Sequence, residues 1–298
     1  MNIQTTDRDP PWTILKLLNW AASYFKSHDI DNPKSTAEIL LSHALQLQRI
    51  DLYLQYDRPL NRDELLAFKQ LVQRRRSREP TAYIVGNKEF WSLPLAVTQD
   101  VLIPRPDTEC LVETAQSILD HEPVGASLQI LDLGTGSGAI ILSLATQYQG
   151  HTYYASDISE KATRLAKTNA IKNGLAHIHF FTGDWLAPLK TSVNGFDMIV
   201  SNPPYIPVDE IPKLQPEIYR YEPLSALEAG ADGLACLQHL IQHVWSYLKP
   251  GGHLIMEMGY NQKNDVTALA MAAGRYEAIT VRKDYGGNDR VICMQRKL

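Results

Sequence analysis

Before about residue 88 the apolar positions repeat three and four apart. Ile14, Leu17, Leu18, Ala21, Ala22 and Phe25 make one stripe, the period of a helix that buries a single face. Asn32-Pro33 reads as an N-cap followed by proline at the first helical position, opening a helix through Leu40, Leu41, Ala44 and Leu45. Asn61 with Glu64 reads as a cap with a reciprocal acid before Leu65, Leu66, Phe68, Leu71 and Val72. No strand alternates with these helices, so residues 1–88 predict a small all-α bundle. Residues 89–110 alternate short apolar pieces and predict a β-hairpin linker. From 111 to 298 apolar strands alternate with helices, which predicts an α/β domain with a mostly parallel sheet. Pro250-Gly251-Gly252 reads as the turn into a strand from His253 to Met258. Two last strands, near Ala278–Val281 and Arg290–Met294, should pair as an antiparallel hairpin at the sheet edge.

The strand ends carry the chemistry. The apolar run Phe196–Val200 ends in Ser201 and is followed by Asn202-Pro203-Pro204-Tyr205. Two prolines stop the chain from continuing as helix or ladder. The Asn202 side-chain oxygen and the Pro203 carbonyl are then two acceptors beside an aromatic ring, Tyr205. That set suits a planar amide or an amino-heterocycle held by its –NH2 group. Asn-Pro and Pro-Pro also mark plain turns, so the tetrapeptide gains weight only from its surroundings.

An apolar strand, Ile130 to Leu133, runs into Gly134-Thr135-Gly136-Ser137-Gly138 and then into the apolar helix that begins Ala139-Ile140-Ile141. Glycines there let a ligand approach the N–H groups of a helix start. The spacing is G-x-G-x-G rather than the dinucleotide G-x-G-x-x-G. Asp157 closes the next strand, Thr152–Ala155, where a carboxylate can accept two ribose hydroxyls. Asp184-Trp185 follows a third run, Ile178–Thr182, with a carboxylate and a ring suited to the edge and face of adenine. Ligands of open α/β sheets gather at such strand ends.

With these residues in place, the chain resembles the class I S-adenosylmethionine-dependent methyltransferases. Within them it resembles the protein-(glutamine-N5) methyltransferases that modify peptide chain release factors. The similarity extends to Glu89–Pro94, to Leu102-Ile103-Pro104-Arg105-Pro106-Asp107-Thr108-Glu109 and to Glu222-Pro223-Leu224 with Asp232-Gly233-Leu234. It ends in Asp284-Tyr285-Gly286 with Asp289-Arg290-Val291. It implies a Rossmann-like, seven-stranded sheet and S-adenosyl-L-methionine as cofactor, leaving S-adenosyl-L-homocysteine. The cofactor would meet Gly134, Thr135, Gly136, Ser137, Gly138, Asp157, Asp184, Trp185 and Asn202. The substrate, the glutamine of a release factor's GGQ motif, would meet Asn202, Pro203, Pro204 and Tyr205. Asn202, Pro203 and Tyr205 would be catalytic. Phe90 would shape the pocket, with core packing an equal account of its ring. Arg105 would either orient the linker or meet substrate.

Composition narrows the alternatives. At 298 residues, 44% hydrophobic and 21% charged, the chain can bury a large core. No apolar run reaches the roughly 18 residues that span a membrane. The start, with Asp7 and Asp9, lacks the basic and apolar regions of a signal peptide. Cys110, Cys236 and Cys293 are odd in number and far apart, which predicts a reducing cytoplasm. Residues 1–88 hold 13 Lys and Arg against 10 Asp and Glu, a net +3, while the remainder holds 16 against 23, a net −7. The acidic balance and the missing basic stripe disfavour an adenine-N6 DNA methyltransferase, the second chemistry the tetrapeptide would suit, so no direct nucleic-acid contact is expected. A sister family acting on a ribosomal protein shares the tetrapeptide, and a non-catalytic cofactor-binding module is the third alternative. Arg74-Arg75-Arg76 with Arg78, the one basic cluster, could meet an acidic protein surface or nucleic acid, but reads more readily as a solvated helix end favoured by the macrodipole. His239 and His243 lack a third ligand of matching spacing, so no metal is expected. The expected enzyme is a monomer whose helical domain docks the protein substrate.

Overall fold

The computed structural model describes residues 11–190 and 195–298, so the amino-terminal segment with Asp7 and Asp9 lies outside the described residues. The chain divides into two units. One runs through Gly86 and takes in Pro216–Tyr221, and the other comprises Asn87–Gln215 and Glu222–Leu298.

The first unit contains α1 (Ile14–Lys26), α2 (Pro33–Leu45), α3 (Arg49–Leu54), α4 (Arg62–Arg76) and α5 (Thr81–Val85). Ile14, Leu17, Ala21, Phe25, Leu40, Leu41, Leu52, Phe68 and Val72 are completely buried in its core. The α4 start is the reciprocal cap read from sequence, with Asn61 Oδ1 accepting from Glu64 N and Glu64 accepting from Asn61 N, each at 2.9 Å. At α2 the expectation holds only for Pro33. Asn32 sits in the left-handed region (φ 49°) and makes no side-chain cap bond. The basic cluster is a solvated helix end only at Arg74 and Arg76, which are exposed. Arg75 is buried, and it and Arg78 both pair with Glu217, at 2.7 and 3.1 Å. Arg74 pairs with Glu79, and Tyr221 donates to the Ser77 carbonyl. Desolvated guanidinium groups need carboxylate partners, and a partner from Pro216–Tyr221 is invisible to local reading.

In the second unit, β1 (Asn87–Phe90) and β2 (Leu93–Ala96) form an antiparallel hairpin. Its two turn residues, Trp91 and Ser92, both have positive φ, the geometry that matches strand twist in a two-residue turn. The main sheet is built from β3 (Gln129–Leu133), β4 (Thr152–Asp157), β5 (His179–Thr182), β6 (Phe196–Ser201), β7 (Leu248–Glu257), β8 (Tyr276–Lys283) and β9 (Asp289–Arg296). Their order is β5-β4-β3-β6-β7-β9-β8, parallel from β5 to β7, with β9 antiparallel to both neighbours. The terminal hairpin therefore places β9 inside the sheet and β8 at its edge. Pro250-Gly251-Gly252 is a bulge within β7 rather than a turn before it. Phe196 pairs with Leu248, and the register then jumps to Met198 with His253.

Alternate residues of the strands feed two cores. Ile130, Met198, Val200, Ile255 and Val291 pack with α6 (Glu109–Leu119), α7 (Ala139–Gln147) and α8 (Glu160–Lys172). Leu131, Leu133, Ile199, Leu254 and Met256 pack with α10 (Ala235–His243) and α11 (Lys263–Ala273). The six-residue α9 (Pro216–Tyr221) belongs to the helical unit. Strands buried on both faces and flanked by helices make a three-layer α/β sandwich. The strand order reverses at β3, flanked by β4 on one side and β6 on the other, and a crevice opens there at the carboxyl ends.

Candidate active site

A cavity of about 240 Å³ lies at these strand ends. The loop after β3 lines it with Gly134, Thr135, Gly136 and Ser137. Gly134, Gly136 and Gly138 all adopt positive φ, at 74°, 57° and 87°. A Cβ on Gly134 would also face the Trp185 ring at 3.7 Å, so glycine serves both backbone and ring. Gly134 N and Thr135 N both donate to the Ser156 carbonyl, which draws the loop across the end of β4.

Asp157 ends β4 and lines the cavity. Its Oδ2 accepts from Gly136 N and its Oδ1 from Ser159 N, both at 2.9 Å. Burial raises its pKa, and those two backbone donors pull it back. Asp184 and Trp185 line the same cavity beyond β5. Beneath the loop Asp132 is wholly buried; Thr135 donates to its Oδ2 at 2.7 Å and Oδ1 is sealed without a partner. Burial pushes Asp132 up to about 7, opposed by the Thr135 hydroxyl and reinforced by the charge of Asp157. The donor set fits an adenosyl group with a cationic sulfonium. Open backbone lies at a helix start, and there are carboxylates for ribose and cation and a ring for a base.

Asn202 ends β6 on the cavity wall, with Pro204 beside it. Its Nδ2 donates to Thr108 Oγ1 at 3.2 Å, which leaves Oδ1 for the cavity. Pro203 is buried. The Tyr205 ring packs against the β6–β7 core, and its hydroxyl donates to Glu257 Oε1 at 3.0 Å, so the ring does not line the cavity as sequence led us to expect. A hydroxyl this deep needs a partner. Phe90 is also away from the cavity, 3% exposed among Leu95, Leu111 and Ile140. Of its two accounts, packing is the one the structure supports.

Several contributors carried no clear signal in the sequence. Asn169, completely buried in α8, accepts from Ala96 N and donates to the Ala96 and Ser137 carbonyls, joining the hairpin to the glycine loop. Arg105 pairs with the buried Glu222 at 2.6 Å, as a linker brace would, and it also lines the cavity. Gln262 donates to the Tyr205 and Gly233 carbonyls. A Cβ on Gly233 would lie 2.6 Å from that Tyr205 carbonyl, so the tetrapeptide needs glycine there. The strings holding Thr108, Glu222, Gly233 and Arg290 were visible, but not their partners.

Residues 16–86 match the PrmC N-terminal domain family, and residues 125–288 match the methyltransferase domain family. The release factor glutamine methyltransferase of Geobacter sulfurreducens is 41% identical over 287 residues, 96% of this chain and 98% of that protein. The Yersinia pestis protein of the same name is 44% identical over 274 residues, 92% and 95% of the two chains. In fold alone, a solved human methyltransferase 10 domain containing protein is similar with a TM-score of 0.51. It is 17% identical and spans 70% of this chain and 89% of its own. Similarity at this level along nearly the whole length shows that the chain belongs to the release factor glutamine methyltransferase family.

Proposed function

We propose that this chain transfers the methyl group of S-adenosylmethionine to the side-chain amide nitrogen of a glutamine in peptide chain release factors, with Asn202 holding that nitrogen. The observation that carries the reading is an asparagine at the end of β6, on the cavity wall, whose amide nitrogen is committed to Thr108. The full-length similarity to release factor glutamine methyltransferases favours a protein substrate over DNA. When bound, the cofactor supplies a methyl group activated by its sulfonium charge.

A carboxamide nitrogen is a poor nucleophile because its lone pair is delocalised into the carbonyl. Acceptors on its two N–H groups orient the nitrogen and favour the charge that develops as conjugation is lost. Asn202 Oδ1 and the Pro203 carbonyl are those acceptors, acting through position and preorganised dipoles. Asp157 takes the ribose hydroxyls, and Asp184 with Trp185 takes the adenine.

The helical unit docks the release factor. Ile50, Tyr53 and Leu54 lie three and four apart on α3 and are 63, 45 and 71% exposed, with Tyr56 exposed beside them. An apolar face of this kind suits a protein partner. The enzyme acts as a cytoplasmic monomer. Among the described residues no helix is long and apolar enough to cross a membrane.

The test is Asn202→Ala. Turnover on an intact release factor, followed by mass and site of the methylated product, should fall by about 10²- to 10³-fold. Cofactor binding by calorimetry should stay within about threefold of wild type, because Asn202 is one of many cavity contacts. Wild-type turnover in the variant removes the mechanism.

A further inference from the structure

We infer that Gln262 is a positioning residue for methyl transfer: it clamps the tetrapeptide by the Tyr205 carbonyl and so sets where the Asn202 and Pro203 oxygens meet the substrate amide. The inference rests on the reading of Asn202 and Pro203 above. Pro203 and Pro204 have no N–H, so this stretch has no backbone donors of its own to anchor it. Its place depends on the side chains that flank it and on donors that reach its carbonyls. The Pro203 carbonyl is assigned to the substrate, so a grip that leaves it free has to be taken further along the chain.

Gln262 supplies that grip. It immediately precedes α11 and is buried. Its Nε2 donates to the Tyr205 carbonyl at 3.0 Å and to the Gly233 carbonyl at 3.1 Å, and its Oε1 accepts from Gly259 N at 2.9 Å. All three partners are backbone groups, which cannot exchange donor and acceptor roles, so only one orientation of the amide satisfies them. Both hydrogens of Nε2 are in use. The Gln262 backbone is held as well: its N–H donates to the Gly259 carbonyl and its carbonyl accepts from Val266 N, each at 2.9 Å. One side chain thus joins the chain just beyond β7, the start of α11 and the loop before α10 to the end of the tetrapeptide.

The fit around the Tyr205 carbonyl is close. Gly233 has a φ of 74°, and a Cβ there would lie 2.6 Å from that carbonyl and 2.9 Å from Gln262 Nε2. Tyr205 is also held by its hydroxyl, which donates to Glu257 Oε1 at 3.0 Å. The next residue enters paired backbone, with Ile206 N donating to the Leu227 carbonyl and Ala229 N to the Ile206 carbonyl, each at 3.0 Å. At the other end Asn202 Nδ2 donates to Thr108 Oγ1 at 3.2 Å. The stretch that offers its oxygens to the substrate is therefore strung between fixed points. Gln262, Gly233 and Tyr205 do not line the cofactor cavity, whereas Asn202 and Pro204 do. Loosening the clamp should misplace the acceptors and leave the cofactor contacts alone.

The experiment compares Gln262→Glu, Gln262→Met and Gly233→Ala in the full chain, with S-adenosylmethionine and an intact release factor. Gln262→Glu keeps an acceptor for Gly259 N and loses the Nε2 donors. Gln262→Met keeps the length of the side chain and loses all three bonds. Both should lower kcat roughly tenfold to a hundredfold, the scale of a misaligned reacting group, with KM for the release factor and the cofactor Kd within about threefold. Gly233→Ala crowds the same carbonyl and should show the same split. Combined with Gln262→Met it should cost less than the two single losses multiplied, because both act through one carbonyl. Wild-type kcat in both Gln262 variants overturns the inference. So does a loss in Gln262→Met that Gln262→Glu restores, which would put the role in the Gly259 contact. A parallel loss of cofactor affinity in variants shown by circular dichroism to be folded overturns it too. If the Gln262 variants do not fold, Gly233→Ala decides by the same split of kcat from Kd. If Asn202→Ala itself keeps wild-type turnover, it is the reading of Asn202 that has failed.

Discussion

Asp157→Ala separates two tasks that one carboxylate performs. Its oxygens accept from Gly136 N and Ser159 N at 2.9 Å, so it braces the glycine loop before any ligand arrives. Each carboxylate oxygen retains a second lone pair, and those are the ones proposed to meet the ribose hydroxyls. A hydrogen bond to a charged partner contributes about 1.5–3 kcal/mol. Losing the ribose contacts should therefore raise the S-adenosylmethionine Kd about 10- to 150-fold. Losing the two backbone contacts should also lower the stability of the ligand-free protein by about 1–3 kcal/mol, because the Gly136 N–H loses its acceptor. Asp157→Asn is the informative partner. It preserves size, yet its –NH2 end must face one of two N–H donors, so it should lose most of the same affinity. Calorimetry at pH 7.5 gives Kd, and thermal unfolding of the free protein gives the loop term. A wild-type Kd in Asp157→Ala refutes the ribose assignment, and if the melting temperature alone falls, Asp157 is only a brace.

Two further outcomes follow from the same geometry. Asp132 sits at about 7 in the folded protein, against about 3.9 unfolded. The folded state therefore keeps a proton that the unfolded chain releases. That stability is fully present below about pH 4 and is lost as pH rises through about 7. Asp132→Asn should gain on wild type by a few kcal/mol between pH 4.5 and pH 8 in cofactor-free melts, and a pH-independent difference would contradict it. A chain beginning at Asn87, checked first for folding by circular dichroism, should bind S-adenosylmethionine yet methylate an intact release factor poorly, since docking multiplies the local concentration of the target loop. Full-length rates in that truncation would remove the docking role.

What could be read from the sequence was mostly local. The Asn61–Glu64 cap, the positive-φ glycines after β3 and the acids at the ends of β4 and β5 depend on neighbours a few residues away, so type and spacing suffice. Long-range pairing could not be read. Arg75 and Glu217 are 142 positions apart, and Asn169 is 73 from the Ala96 backbone that it holds. Arg75 looked like a solvated charge because the one acid nearby, Glu79, pairs with Arg74, and its own partner Glu217 is remote in sequence. The Pro-Gly-Gly turn was misplaced for a related reason. A bulge is defined by what the partner strand does, and Phe196 continues pairing with Leu248 across it.

Tyr205 shows how the sheet order changes a role that residue type suggests. An aromatic ring next to Asn202 suits a planar substrate, and by type alone that reading is sound. Yet β9 enters between β7 and β8, which brings Arg290 up behind the strand ends beside Met258 and Asp107. Glu257 at the end of β7 sets a buried carboxylate behind the tetrapeptide. A tyrosine whose ring packs on the core beside it gains more from donating to that carboxylate than from lying against solvent. The inserted antiparallel strand thus reaches the tetrapeptide as well as the sheet: burial pushes the Glu257 carboxyl up, the Arg290 charge opposes that push, and Tyr205 is held on Glu257 rather than in the cavity.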